Sequence, residues 1–199
     1  MTKMVVRLSG PGIAPGSFAA LPKTIFRAED RYARIEDPPD AKQHLQKLTI
    51  IAGTEAYSIN LTDHSGTHAT NHGNSRDLHL PIVLPFDPKH QLGRLDQIEF
   101  GAENEFFEAA KAIKVPGPTI NAKPTDAFEL PAAEGSAQLV VRRATNNPIF
   151  LKWRTPEGLF QYEYITYEDV PFDKSLFAKP GGVRWREIPA DPAAGASGQ

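Results

Sequence analysis

Three histidines recur at intervals of four in Asp63-His64-Ser65-Gly66-Thr67-His68-Ala69-Thr70-Asn71-His72. On a helix that spacing would stack imidazoles on one face, ready for zinc. The segment is a poor helix, because it carries Gly66, Gly73, Asn71 and two threonines. On a strand, His68 and His72 share a face but stand about 13 Å apart at roughly 3.3 Å per residue, too far for both to grip one ion. His79, Asp77 or a carboxylate from a neighbouring strand would have to complete the set. The first reading is therefore of histidines exposed on a hairpin, with no metal and no cofactor. A metal-binding protein or metal-dependent enzyme built on His64, His68, His72 and His79 is the alternative.

Other chemistry is sparse. Gly10-Pro-Gly12-Ile-Ala-Pro-Gly16-Ser17 has the glycines of a phosphate loop but neither the Lys-Ser/Thr ending nor a dinucleotide spacing, and its prolines remove amide donors. The chain has no G-x-S-x-G elbow and no H-E-x-x-H helix, so no catalytic residue is assigned and no enzyme is expected. What remains is aromatic: Phe26, Tyr57, Trp153, Phe160, Tyr162 and Tyr164, with Phe106 and Phe107 adjacent on a candidate helix. These residues either fill a core or line an apolar cavity of the kind that holds lipids and small molecules.

The elements that would position them are mostly strands. Leu48 to Ala52 is short, β-branched and stopped by Gly53, and Ala56 to Leu61 alternates with Tyr57, Ile59 and Leu61 on one face, the period-2 mark of a half-buried strand. Asp63 to Gly66 reads as a hairpin turn leading into Thr67 to Asn71. Thr24 to Arg27 and Tyr32 to Glu36 form an earlier pair, preceded by a short strand at Val5 to Leu8 and a loop rich in glycine and proline. Further strands are expected at 138–143, 149–153, 160–167 and 183–188, with one helical turn near Asp173 to Ala178. The one good helix runs from about Ala102 to Ile113, with Phe106, Ala110 and Ile113 on one side and Glu103, Glu105, Glu108 and Lys111 on the wet side.

Bulk properties fit this pattern. The chain has 199 residues, 40% hydrophobic and 23% charged, and its 18 prolines and 15 glycines suit many short strands with many turns. A net charge of −2 argues against nucleic acid. With no cysteine, disulfides, thiolate catalysis and Cys-ligated zinc all drop out. No stretch reaches the roughly 20 apolar residues of a membrane span, and Arg7 interrupts the only apolar run at the N-terminus. The expected fold is α+β but mostly β: one large, curved antiparallel sheet, an incomplete barrel, with a helix on its concave face. One domain is expected over residues 1–188, and the Ala, Gly, Pro, Ser and Asp of 189–199 suggest a disordered tail.

The order of elements from Thr24 onward resembles the bacterial lipoprotein carrier and receptor (LolA/LolB-like) superfamily, and also a group of uncharacterised exported proteins with the same hairpin and ending. Arg34-Ile35-Glu36 is similar to an arginine-x-glutamate at a strand end in that family. Leu48 to Leu61 with the turn at Asp63 to Gly66 looks like its strand pair and hairpin. Phe172 to Val183, through Lys179-Pro180-Gly181-Gly182, looks like its closing segment. The chain departs in lacking a long helix before the first strand and in placing Ile35 where an aromatic is common. The resemblance implies a non-catalytic carrier or binding domain for a hydrophobic small molecule, lipid or lipoprotein acyl chain. It also implies an envelope or lipoprotein partner and a periplasmic or exported setting if a leader precedes this chain, and a cytoplasmic one otherwise. Arg34 and Glu36 take a structural role in that reading. A structural or interaction module with a filled core is the remaining alternative.

Overall fold

The computed structural model describes residues 1–70, 95, 97–132 and 135–188. Twelve strands account for most of them. They are β1 (Thr2–Ser9), β2 (Lys23–Ala28), β3 (Tyr32–Glu36), β4 (Lys47–Ala52), β5 (Glu55–Asn60), β6 (Ser65–Thr70), β7 (Ile113–Pro116), β8 (Thr125–Ala132), β9 (Gly135–Arg142), β10 (Pro148–Thr155), β11 (Gly158–Asp169) and β12 (Arg184–Ile188). A single α-helix, α1 (Glu103–Ala109), stands among the described residues. The strand order is β12-β6-β5-β4-β3-β2-β1-β11-β10-β9-β8-β7 in an open sheet. Pairing is antiparallel from β2 to β6 and from β7 to β11, whereas β12 lies parallel to β6.

Contacts divide the chain into two compact units. Of the described residues, one comprises 1–3, 23–70 and 169–188, and the other 4–22, 95, 97–132 and 135–168. In the first, alternation puts Leu48, Ile50, Tyr57 and Ile59 on one face of β4 and β5, where Phe177 of the 3-10 turn Lys174–Phe177 closes over them. Arg34 holds that turn in place: its Nη1 donates to the Leu176 carbonyl at 2.9 Å, while its Nε donates to Glu36 at 2.6 Å. Tyr32, Phe172 and Phe177 pack ring to ring, with centroids 5.3 to 5.8 Å apart. The pair Arg34 and Glu36 thus ties a strand end to the segment that covers the core.

In the second unit, the buried face collects Leu139, Leu151 and Trp153, all fully inaccessible, together with Phe160, Tyr162 and Tyr164 of β11. Helix α1 packs on β8 and β9 and contributes Phe107, which is 2% exposed. The helix is shorter than its periodicity predicts. Lys111 adopts a left-handed φ of 56°, the usual helix stop, and Ile113 then begins β7 instead of ending the helix. Strands β7 and β8 are absent from the sequence reading. Their residues mix Lys, Asp, Glu and two prolines, a poor strand composition. Pro131 is tolerated because β7 pairs only Asp126 to Glu129 of β8 and stops short of it.

Candidate functional site

An open cleft of about 440 Å³ lies in the first unit and one of about 660 Å³ in the second. The larger has the size of a small-molecule site. Its floor is set by the β9–β10 connection and the starts of β8 and β10, which bring Thr125, Ile149 and Phe150 beside Tyr164 and Ile165 of β11. One wall is the turn at Asn121 and Ala122, where Ile120 and Lys123 exchange backbone hydrogen bonds of 3.0 and 2.9 Å. Ile165 is 43% exposed, so an apolar ligand seated there would take its side chain out of water.

The rim is basic. Lys123, Arg142 and Arg143 all border the cleft. Arg143 is engaged: its Nε donates to Asp126 at 3.0 Å and its Nη2 to the Thr125 carbonyl at 3.3 Å. Lys123 and Arg142 have no ion-pair partner among the described residues. Asp126 also meets Lys114 at 3.0 Å, and those cationic neighbours hold its carboxyl below the usual carboxylate range. Glu163, the carboxylate lining this cleft, pairs with Arg7.

Beneath the cleft lies a buried polar contact that amphipathic reasoning misplaces. Glu103, expected on the wet side of α1, is 1% exposed. Its Oε1 accepts from the Tyr164 hydroxyl at 2.5 Å and from the Gly101 N–H at 2.9 Å. Burial, with the Glu103 carboxylate second, pushes the Tyr164 hydroxyl well above its ordinary pKa, so it stays a donor at physiological pH. The signal for this pair is non-local, since 61 residues separate the partners. Tyr164→Phe removes one donor from a buried carboxylate and is expected to cost about 1.5–3 kcal/mol. A urea unfolding midpoint unchanged from wild type would refute the assignment.

Of the aromatic candidates, Tyr164 alone lines the larger cleft. Trp153, Phe160 and Tyr162 are at most 3% exposed, and Trp153 and Tyr162 meet edge to face with centroids 5.6 Å apart. Phe107 is buried, and half-buried Phe106 lies against it, 6.0 Å between centroids. Phe26 is half-buried beneath Lys3 Nζ, 5.8 Å above its ring. Tyr57 packs in the core of the first unit.

The two described histidines of the series, His64 and His68, separate. His64 occupies the β5–β6 turn with a left-handed φ of 55°. His68, on β6, stacks on Tyr57 with centroids 4.8 Å apart and planes 11° from parallel. Its Nε2 contacts Glu55 of β5, and its Nδ1 lies 2.6 Å from Glu187 of β12, an ion-pair distance without hydrogen-bond alignment. The two carboxylates face different ring nitrogens, and among the described residues no three His, Asp or Glu side chains converge on a metal position. His72 and His79 lie outside the described residues.

No family model and no curated protein matches the sequence. Among solved structures, an uncharacterised conserved protein from Thermus thermophilus is similar over 94% of this chain and 90% of its own, with a TM-score of 0.50 and 9% identity. MucB in complex with MucA from Pseudomonas aeruginosa gives a TM-score of 0.44 at 10% identity, over 89% of this chain and 55% of that one. A putative outer membrane lipoprotein-sorting protein domain from Vibrio parahaemolyticus gives 0.36 at 7%, over 88% and 86%. The Thermus likeness is one of fold. No helix among the described residues is long and apolar enough to cross a membrane.

Proposed function

We propose that this protein is a non-catalytic binding domain of the bacterial envelope for an apolar ligand that carries an acidic group. The observation that supports it is the composition of the larger cleft. Phe150 and Ile165 offer accessible apolar surface, while Arg142 and Lys123 stand at the rim without carboxylate partners among the described residues. Burying an acyl chain on such a wall is favourable by about 25 cal/mol per Å². A carboxylate or phosphate head at the rim gains charge-assisted hydrogen bonds. The apolar-pocket reading of the aromatic residues then rests on Tyr164, with Phe150, Ile149 and Ile165 in place of the more deeply buried rings.

The test is calorimetric titration with oleate and with oleyl alcohol, which share a chain and differ in charge. Saturable binding of oleate is expected, with the alcohol weaker by about tenfold or more, the worth of one charge-assisted contact. Ile165→Asp should abolish binding of both, and Arg142→Glu should erase the preference for oleate. Because both side chains are exposed, circular dichroism should be unchanged. Absence of saturable binding, or binding indifferent to both substitutions, would overturn the proposal and leave an interaction module with a filled core as the reading to pursue.

A further inference from the structure

The smaller cleft, in the first unit, has a different chemistry. Register builds it. Across β4, β5, β6 and β12, one cross-strand row reads Lys47, Asn60, Ser65, Arg184, and the row two residues along reads Thr49, Ser58, Thr67, Arg186. Alternation sends both rows to the face opposite Leu48, Ile50, Tyr57 and Ile59. Neighbouring strands lie about 4.8 Å apart, so a basic residue stands at each end of a short trough floored by hydroxyl and amide groups. All of these except Thr49 line the cleft.

The polar groups there are chiefly donors. Asn60 Oδ1 already accepts from the Gln46 and Thr62 N–H groups at 3.2 and 3.1 Å, which leaves its NH₂ end to donate. Ser58 and Thr67 have no hydrogen-bonded side-chain partner, and Lys47 and Arg186 no ion-pair partner, among the described residues. Arg184 donates to the Asp63 carbonyl at 3.2 Å. The Asp63 carboxylate is directed to Ser65, accepting its N–H at 2.9 Å and its hydroxyl at 2.7 Å. No described residue lining the trough is acidic. With the neighbouring Asp63 carboxylate turned to Ser65, the remaining donors and cations are suited to an oxyanion.

The basic strand is held from its other face. Trp185 packs edge-on against Tyr57, centroids 5.4 Å apart, and Glu187 sits beside His68. Lys179 Nζ lies 5.0 Å over the Trp185 ring. Gly66 is needed beneath, because a Cβ there would come within 2.9 Å of the Trp185 ring. These contacts hold the β12 backbone, whose alternation puts Arg184 and Arg186 on the trough side.

We infer that this trough is a binding site for a phosphate monoester on a hydroxylated carrier, of the sugar phosphate class, with Arg184 and Arg186 of β12 taking the phosphate at one end and Ser58, Asn60 and Thr67 the carrier hydroxyls towards Lys47 at the other. Chemical shifts of the intact protein titrated with inorganic phosphate, glucose 1-phosphate and glucose test it. Saturable shifts are expected at β5, β6 and β12 amides with both phosphates, glucose 1-phosphate binding about tenfold more tightly and glucose alone giving none. Arg186→Gln should weaken both phosphates by about tenfold, and Arg184→Gln provides a second, equally exposed variant. No saturable response, a response to glucose alone, or binding by both variants as tight as that of the wild-type protein would overturn the inference. The face would then be an ordinary charged border that keeps the sheet edge from pairing.

Discussion

Trp153→Ala is expected to lower the unfolding free energy by about 3–5 kcal/mol, the range for emptying a large aromatic from a core. The side chain is fully inaccessible, on a strand whose alternate residues Ile149, Leu151 and Thr155 are also buried. Its ring meets Tyr162 edge to face, and Tyr162 in turn meets Phe100 at 5.2 Å and 84°. An alanine leaves a void that this well-ordered stack would refill only by tilting several rings, so the transfer loss and the cavity cost add. Urea unfolding followed by far-UV circular dichroism measures the change, with a lower midpoint at similar slope. A loss under about 1 kcal/mol would mean that the site collapses freely and that the packing is not rigid. The chain has two tryptophans, so fluorescence of the variant reports Trp185, in the first unit.

Gly135→Ala is expected to cost about 2–4 kcal/mol, combining backbone strain with a steric displacement. Gly135 has a φ of 148°, and a Cβ built on it would lie 1.8 Å from the Arg154 carbonyl oxygen. That oxygen belongs to the backbone of β10, whose register puts Arg154 opposite Ser136. A rotamer change cannot relieve the overlap; the β9–β10 ladder has to move. Gly53→Ala separates the two contributions, since Gly53 also has a left-handed φ, 64°, but nothing within 4 Å of the added carbon. Its cost should stay at about 1 kcal/mol. Equal losses in the two variants would show that φ alone governs both positions and that the contact with Arg154 relaxes.

Much of this architecture is legible in local patterns. A short β-branched run marks β4, alternation of apolar and polar residues marks β5 and β11, and the turns at Gly53, at Asp63 to His64 and at Asn146 separate strands because their residues tolerate the required backbone. The 3-10 turn at Lys174–Phe177 likewise follows from Asp173, whose carboxylate accepts from the Ser175 N–H. The sites were not legible in the same way. Strand β8 becomes a strand through β9, to which it is bonded along its whole length, and not through its own composition. Glu103 looks like a solvated helix residue until Tyr164 covers it. His68 looks like one member of a histidine series, but its partners come from β5 and from β12, over a hundred positions further along. The trough with Lys47 at one end and Arg186 at the other exists only through the parallel pairing of β12 with β6. Period and turn chemistry are written in neighbouring residues and so determine which segments extend and which face they bury. Register, burial of a charge and the meeting of distant cations are properties of paired strands, and tertiary structure alone decides them.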